Sequence, residues 1–229
     1  MRNIKALTLA MLVTLFGTSL ALADYVMGVS GAIAKIEASG TETEGGEKTS
    51  ADVTNTTPIA SIFAEASDVM GTGITVGLDY IPFSADVSSS VKQRKDTETS
   101  VTSTTTETTT ARTQKAQAEL SQHITLYAAY DIADGLYVKA GVVQVDLDTT
   151  ESLDTGSKYG NETLNGYIIG VGIQSDVGSN SFARLEASYT DYEDVSLTSS
   201  VARSGVTTNN KIEADLDVTQ LKASFGYKF

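Results

Sequence analysis

The chain has 229 residues, a formal net charge of −13, a single His, and no Cys or Trp. That length suits one sizeable domain, and the absence of Cys excludes disulfides and thiolate metal sites. The acidic balance argues against nucleic-acid binding and against docking on anionic lipid through a basic patch. In chain order, the first segment stands apart: Arg2 and Lys5, then the apolar run ALTLAMLVTLFG, then Ala21-Leu22-Ala23. This pattern predicts a cleaved signal peptide over 1–23, removed before Asp24. A retained anchor is the rival reading, but the run is shorter than the roughly 20 residues of a spanning helix.

Residues 24–229 read as one domain, because no later window carries a helical period. The recurring pattern is period two, the mark of strands. Eight strands are predicted. The first covers about 25–37, with Tyr25, Met27, Val29, Gly31 and Ile33 on one face. The second covers about 58–67, with Ala60, Ile62, Ala64 and Ala66 opposed to Phe63 and Glu65. The third starts near 73, with Ile74, Val76, Leu78 and Tyr80 opposed to Gly77 and Asp79. The fourth ends near 131, with Leu120, Ile124, Leu126, Ala128 and Tyr130 opposed to Ser121, His123, Thr125 and Tyr127. The fifth starts at Leu136, with Val138, Ala140 and Val142 opposed to Lys139 and Gly141. The sixth covers about 164–175, with Tyr167, Ile169, Val171 and Ile173 opposed to a glycine row. The seventh starts near Phe182, with Leu185, Ala187 and Tyr189 opposed to Arg184 and Glu186. The eighth runs from about 211 to the end, with Leu221, Ala223, Phe225, Tyr227 and Phe229 opposed to Lys222 and Lys228.

Short connections (68–72, 132–135, 176–181) alternate strictly with long polar ones (38–57, 87–116, 148–163, 196–210). That alternation is expected of an up-and-down barrel with one clipped and one elaborated end. The Thr-rich stretch 87–116 is low in complexity, yet Thr and Val favour extended chain. It is expected to project as a hairpin with a mobile tip near 97–106, with a disordered loop as the alternative.

The two faces decide the solvent. Opposite the apolar rows stand Glu65, Asp79, Lys139, Arg184, Glu186, Lys222 and Lys228, interleaved with glycines. A soluble exterior has no need of so many glycines, whereas a narrow barrel needs small inward residues. Aromatics lie toward the ends of the apolar rows, as in interfacial girdles. The expected fold class is all-β: an eight-stranded antiparallel up-and-down transmembrane β-barrel with four long surface loops.

The leader, the alternating connections and the final L-x-A-x-F-x-Y-x-F row resemble the small outer-membrane β-barrels of Gram-negative bacteria, the OmpA/opacity-type superfamily, barrel domain only. GLDYIP (77–82) and GLYVKAG (135–141) look like strand starts in that superfamily. The resemblance implies location in the outer membrane with periplasmic termini, a monomer, and outer-membrane lipid and lipopolysaccharide as surroundings. It also implies that Leu221, Ala223, Phe225, Tyr227 and Phe229 form the signal read by the outer-membrane insertion machinery. It names no partner for the extracellular loops.

Candidate chemistry is sparse. Glu65, Asp79, Lys139, Arg184, Glu186 and Lys222 are expected to form a lumen charge network, since unpaired buried charge is expensive. The network is either a static polar core or a plug that re-pairs to admit ions. The static core is preferred because eight strands enclose an interior that side chains fill. Ser121 and His123 share a predicted face, but lipid A deacylases of this fold carry the order His-x-Ser, which this chain reverses. Acidic residues of the long connections (Glu42, Glu44, Glu47, Asp52; Asp146, Asp148, Glu151, Asp154) match no Ca²⁺ loop. No catalytic residue, cofactor or metal site is expected. The leading function is structural or surface-interacting, with a narrow pore for small ions or solutes as the alternative and a lipid-modifying enzyme as a third reading.

Overall fold

A computed structural model describes residues 23–103, 106–151, 157–202 and 207–229. The predicted leader (through residue 22), the far tip of the 97–106 hairpin and Asp154 lie outside the described residues. Among the described residues twelve strands follow one another: β1 Asp24–Glu44, β2 Glu47–Ser67, β3 Ile74–Ile81, β4 Ala85–Asp86, β5 Lys92–Ser103, β6 Thr106–Ala116, β7 Ala118–Ala133, β8 Leu136–Thr149, β9 Glu162–Asp176, β10 Ser181–Tyr192, β11 Val195–Thr198 and β12 Lys211–Lys228. Every pairing between strands is antiparallel.

The wall closes on itself because β1 pairs with both β2 and β12. Both β3 and β4 pair with β7, and both β10 and β11 pair with β12, so each of these couples is one interrupted stave. The result is an eight-stave barrel in up-and-down order. Pro82 ends β3, where a residue without an N–H cannot extend the ladder. The β2–β3 seam is short, joining only Ile62–Ala66 to Val76–Tyr80. Above it the Asn55 side chain donates 2.7 Å to the Asp86 carbonyl. The hairpin β5–β6 forms a separate two-stranded sheet, paired from Lys92↔Ala116 to Ser103↔Thr106.

The expected connection 38–57 is strand instead. β1 and β2 stay in register from Asp24↔Ser67 to Glu44↔Glu47 and turn at Gly45-Gly46, whose φ values of 60° and 111° suit glycine. Polarity concealed these strands, and the reason is visible on the wall. Along β1 the outward row reads Met27, Val29, Gly31, Ile33 and then Lys35, while the buried inward row reads Ser30, Ala32, Ala34, Ile36. The same reversal occurs on β12, where outward Phe225, Ala223 and Leu221 give way to Thr219 and Asp215, and inward Lys222 and Gln220 give way to Val218 and Leu216. β10 changes from Leu185 to Asp191 outside, and from Glu186 to Tyr192 inside.

The molecule therefore has two storeys. The lower is oily outside and polar inside. The upper is polar outside and packed inside with Ile36, Val145, Leu147, Leu164, Leu197, Leu216 and their neighbours. Outward residues 25–33 of β1 span roughly 20 Å of height at about 3.3 Å per residue and a tilt of about 40°, close to the ~25 Å apolar band of a transmembrane barrel. Exposed Tyr167 and Tyr189 mark the upper edge of this belt, and Tyr130, Tyr227 and Phe229 the lower.

Candidate functional site

The lower interior begins with four aromatic side chains, each lying over a glycine directly opposite it in the ladder. They are Phe63 over Gly28, Tyr127 over Gly77, Tyr137 over Gly172 and Phe182 over Gly226. A Cβ at those glycines would sit 2.2, 2.4, 2.4 and 2.3 Å from the nearest ring atoms. Gly77, Gly172 and Gly226 are expected from the sequence only as small residues in a narrow lumen, and Gly28 is not singled out; the sharper reason is that each of the four is the seat of a ring. The four pairs fall on alternate seams, so every stave takes part once.

The rings flank Arg184 and Lys139. Arg184 lies 5.8, 5.0 and 4.9 Å from the rings of Phe63, Tyr137 and Phe182, and Lys139 lies 5.0 Å from Tyr127. Arg184 donates to both oxygens of Glu65, at 2.6 and 3.1 Å, and to Gln174 Oε1 at 2.8 Å. Glu65 also accepts from the Tyr127 hydroxyl at 2.6 Å. Lys139 and the Tyr137 hydroxyl (2.8 Å) both donate to Glu186. Lys222 reaches across the interior to Asp79 Oδ2 at 3.0 Å, which Ser61 also donates to at 3.0 Å. All six charged residues picked from the sequence thus meet in three buried pairs, three carboxylates against three cations. The charge balance is neutral, and the planar fork of Arg184 satisfies Glu65 bidentately.

Ser121 and His123 do not share a face, contrary to the alternation. Gln122 adopts φ 53° and the β7–β8 register shifts between Ser121 and Ile124, which is a β-bulge. The extra residue sends Ser121 to the outer side, where it donates 2.6 Å to Asp148, and leaves His123 buried inside. The same bulge turns Leu120, predicted to lie with Ile124, into the upper core. His123 meets Tyr192 edge-on, with ring centroids 6.4 Å apart.

The acidic residues of the long connections are spread among separate bonds. Glu42 accepts from Tyr159 and Asn210, Asp52 from Ser39, Asp146 from Thr163, and Asp148 from Ser121 and Asn161. Among the described residues no three His, Asp or Glu side chains gather as a metal site. Burial, then the carboxylate of Glu42, pushes the Tyr159 hydroxyl well above the usual phenol range. These connections also tie to each other: Ser200 N–H donates 2.8 Å to the Lys158 carbonyl, and Lys158 N–H donates 3.0 Å to Ser200 Oγ. The upper core, its tied connections and the aromatic seats were all missed in the sequence, although Phe63, Tyr127, Tyr137 and Phe182 each stand on a polar row.

The C-terminal row faces outward, with Leu221, Phe225, Tyr227 and Phe229 exposed. Tyr227 and Phe229 meet edge to face at 5.2 Å. Phe229 N–H donates 2.9 Å to the Tyr25 carbonyl, which brings both ends of the barrel strands to the short-turn rim.

No family model matches the sequence, and no curated protein matches it. Solved structures do match. The outer membrane protein OprG of Pseudomonas aeruginosa aligns with a TM-score of 0.55 at 12% identity, over 91% of this chain and 96% of that one. The outer membrane protease OmpT of Escherichia coli aligns with a TM-score of 0.50 at 11% identity, over 90% of this chain and 97% of that one. The oily belt, the inward charges and these matches agree: the chain has the fold of an outer-membrane β-barrel.

Proposed function

We propose that this protein is an integral outer-membrane barrel with a structural and surface-interaction role and a closed lumen. The observation that carries this reading is the stacking of two unlike seals in one interior. Neutral ion pairs among aromatic rings fill the belt, and a packed apolar cluster fills the storey above it. Ions crossing such an interior would have to separate buried charges and then pass a dry core, and both steps are costly.

In this reading residues 1–23 are a leader removed before assembly, and the row Leu221 to Phe229 is what the insertion machinery engages. The short-turn rim faces the periplasm, and the polar upper storey and its connections face outside among lipopolysaccharide. The barrel works as a monomer and performs no catalysis. The separation of Ser121 from His123 supports the latter, as does the engagement of Glu65, Glu186 and Asp79 in ion pairs.

Planar-bilayer recording of the refolded protein tests the closed lumen. The expected outcome is a silent membrane at moderate voltage. A steady open level from single barrels would overturn it in favour of a narrow pore.

A further inference from the structure

Residues 47–61 of β2 carry no strand on the side away from β1. The ladder to β3 takes up only Ile62–Ala66, and among the described residues no other strand pairs with β2 there. The hairpin β5–β6 has bare edges of its own, since its two strands pair only with each other. These edges are neighbours. β3 lies between β2 and β7, β4 pairs with the same side of β7, and β5 follows β4 while β6 leads into β7. β5 is therefore the hairpin strand on the side of β2, and it runs antiparallel to β2 as β3 does.

The foot of the hairpin already touches β2, where the Asn55 side chain donates to the Asp86 carbonyl. Val87 N–H still bonds the wall, donating 2.9 Å to the Ala118 carbonyl. Beyond it the stretch 87–91, with Ser88, Ser89 and Ser90, belongs to no strand, and on the other side only Gln117 separates β6 from β7. A short polar joint beside a single-residue link suits a rigid hairpin that swings about its foot.

We propose that this hairpin is a strap: β5 swings onto the bare edge of β2 and completes the seam of the upper storey with an added antiparallel ladder. Charge selects this occupant. The β2–β3 register, extended upward, sets Lys95 opposite Glu47 and Lys92 opposite Ser50, one diagonal step from Asp52. These four charged side chains are exposed, and none is in an ion pair among the described residues. Opposite charges on facing strands favour pairing. Lys48, the cation on the same row as Asp52, already neighbours the Glu213 carboxylate. A tethered strand in contact at its foot also outcompetes a free one through its effective concentration.

The bare edge stands in water, so zipping exchanges hydration for ladder bonds at a small net gain. The facing charges tip that balance. Salt screens exposed charges, so the strap closes in dilute salt and loosens in concentrated salt. Its docking is independent of conduction, which the bilayer recording reads separately.

The test is pulsed electron spin resonance of the refolded barrel in lipid nanodiscs, with nitroxides on Thr49→Cys and Gln93→Cys. Both positions are exposed, and the natural chain has no Cys. In dilute salt a population with labels closer than about 20 Å is expected, as for labels on neighbouring strands about 5 Å apart. Lys92→Glu with Lys95→Glu should shrink that population at least about three-fold, and adding Glu47→Lys with Asp52→Lys should restore it. If the reversed variants fail to refold, concentrated salt on the labelled parent gives the same comparison. No close population in dilute salt would overturn the proposal, as would one that neither charge reversal nor salt diminishes. Close labels in a mixture of singly labelled Thr49→Cys and Gln93→Cys barrels would give the edge to a second copy and overturn it as well.

Discussion

At the residue scale, the glycine–aromatic seats explain side chains that alternation alone treats as filler. Phe63, Tyr127, Tyr137 and Phe182 sit on rows that elsewhere carry charge, and their rings fit only because the opposing residue has no Cβ. Gly172→Leu is expected to push Tyr137 off its seat and destabilise the barrel by about 1–3 kcal/mol, the usual cost of overpacking. Urea unfolding in lipid vesicles, followed by tyrosine fluorescence, measures it. The ion pairs make a second expectation. Glu186→Gln strands the Lys139 charge in a buried site and should cost about 3–5 kcal/mol. The double replacement Glu186→Gln with Lys139→Met removes the stranded charge and should recover most of that loss, in the same unfolding assay. All six members of the network were legible in the sequence, because buried charges of both signs in one narrow lumen have to pair. Their pairing scheme was not, because it depends on stagger between staves that period two does not specify.

At the element scale, the instructive failures are β1–β2 and β7. The stretch 38–57 was read as a polar connection because its hydrophobic alternation fades. It is strand all the same, lying where the outer face meets water instead of hydrocarbon, so outward Lys35, Glu37 and Ser39 are in keeping. The sequence carries the clue in the exchange of rows: Ile33 is followed outside by Lys35, while Ala34 and Ile36 continue inside. In β7 a single bulged residue, Gln122, moves Ser121 and His123 to opposite sides, and nothing in the residue types marks it. The exchange of rows yields an expectation on β1. Val29→Lys, at the middle of the belt, should cost about 2–4 kcal/mol, whereas Thr41→Lys above it should cost less than about 1 kcal/mol. Equilibrium unfolding in vesicles of both variants decides this.

At the scale of the whole molecule, one sheet serves two solvents. In the lower storey, hydrocarbon lies outside and the interior is held by paired charge and aromatic rings. In the upper storey, water lies outside and the interior is an ordinary apolar core like that of a soluble barrel. The sequence revealed the barrel, its up-and-down order and its oily exterior, since those follow from period two, from the alternating connections and from the character of the opposed rows. It hid the inversion, because each half taken alone is an unremarkable strand pattern. The two seals inside are what support the proposed role in the envelope over passage through it.

The boundary between the storeys is the most direct point of attack. The natural chain contains no Trp, so a single Trp placed at 29, 33, 37 or 41 of β1 is a reporter without background. Refolded into vesicles of brominated lipid, Trp at 29 and 33 should be strongly quenched, and Trp at 37 and 41 should fluoresce as in unbrominated lipid. Strong quenching at 37 and 41, or none at 29 and 33, would contradict the two-storey barrel.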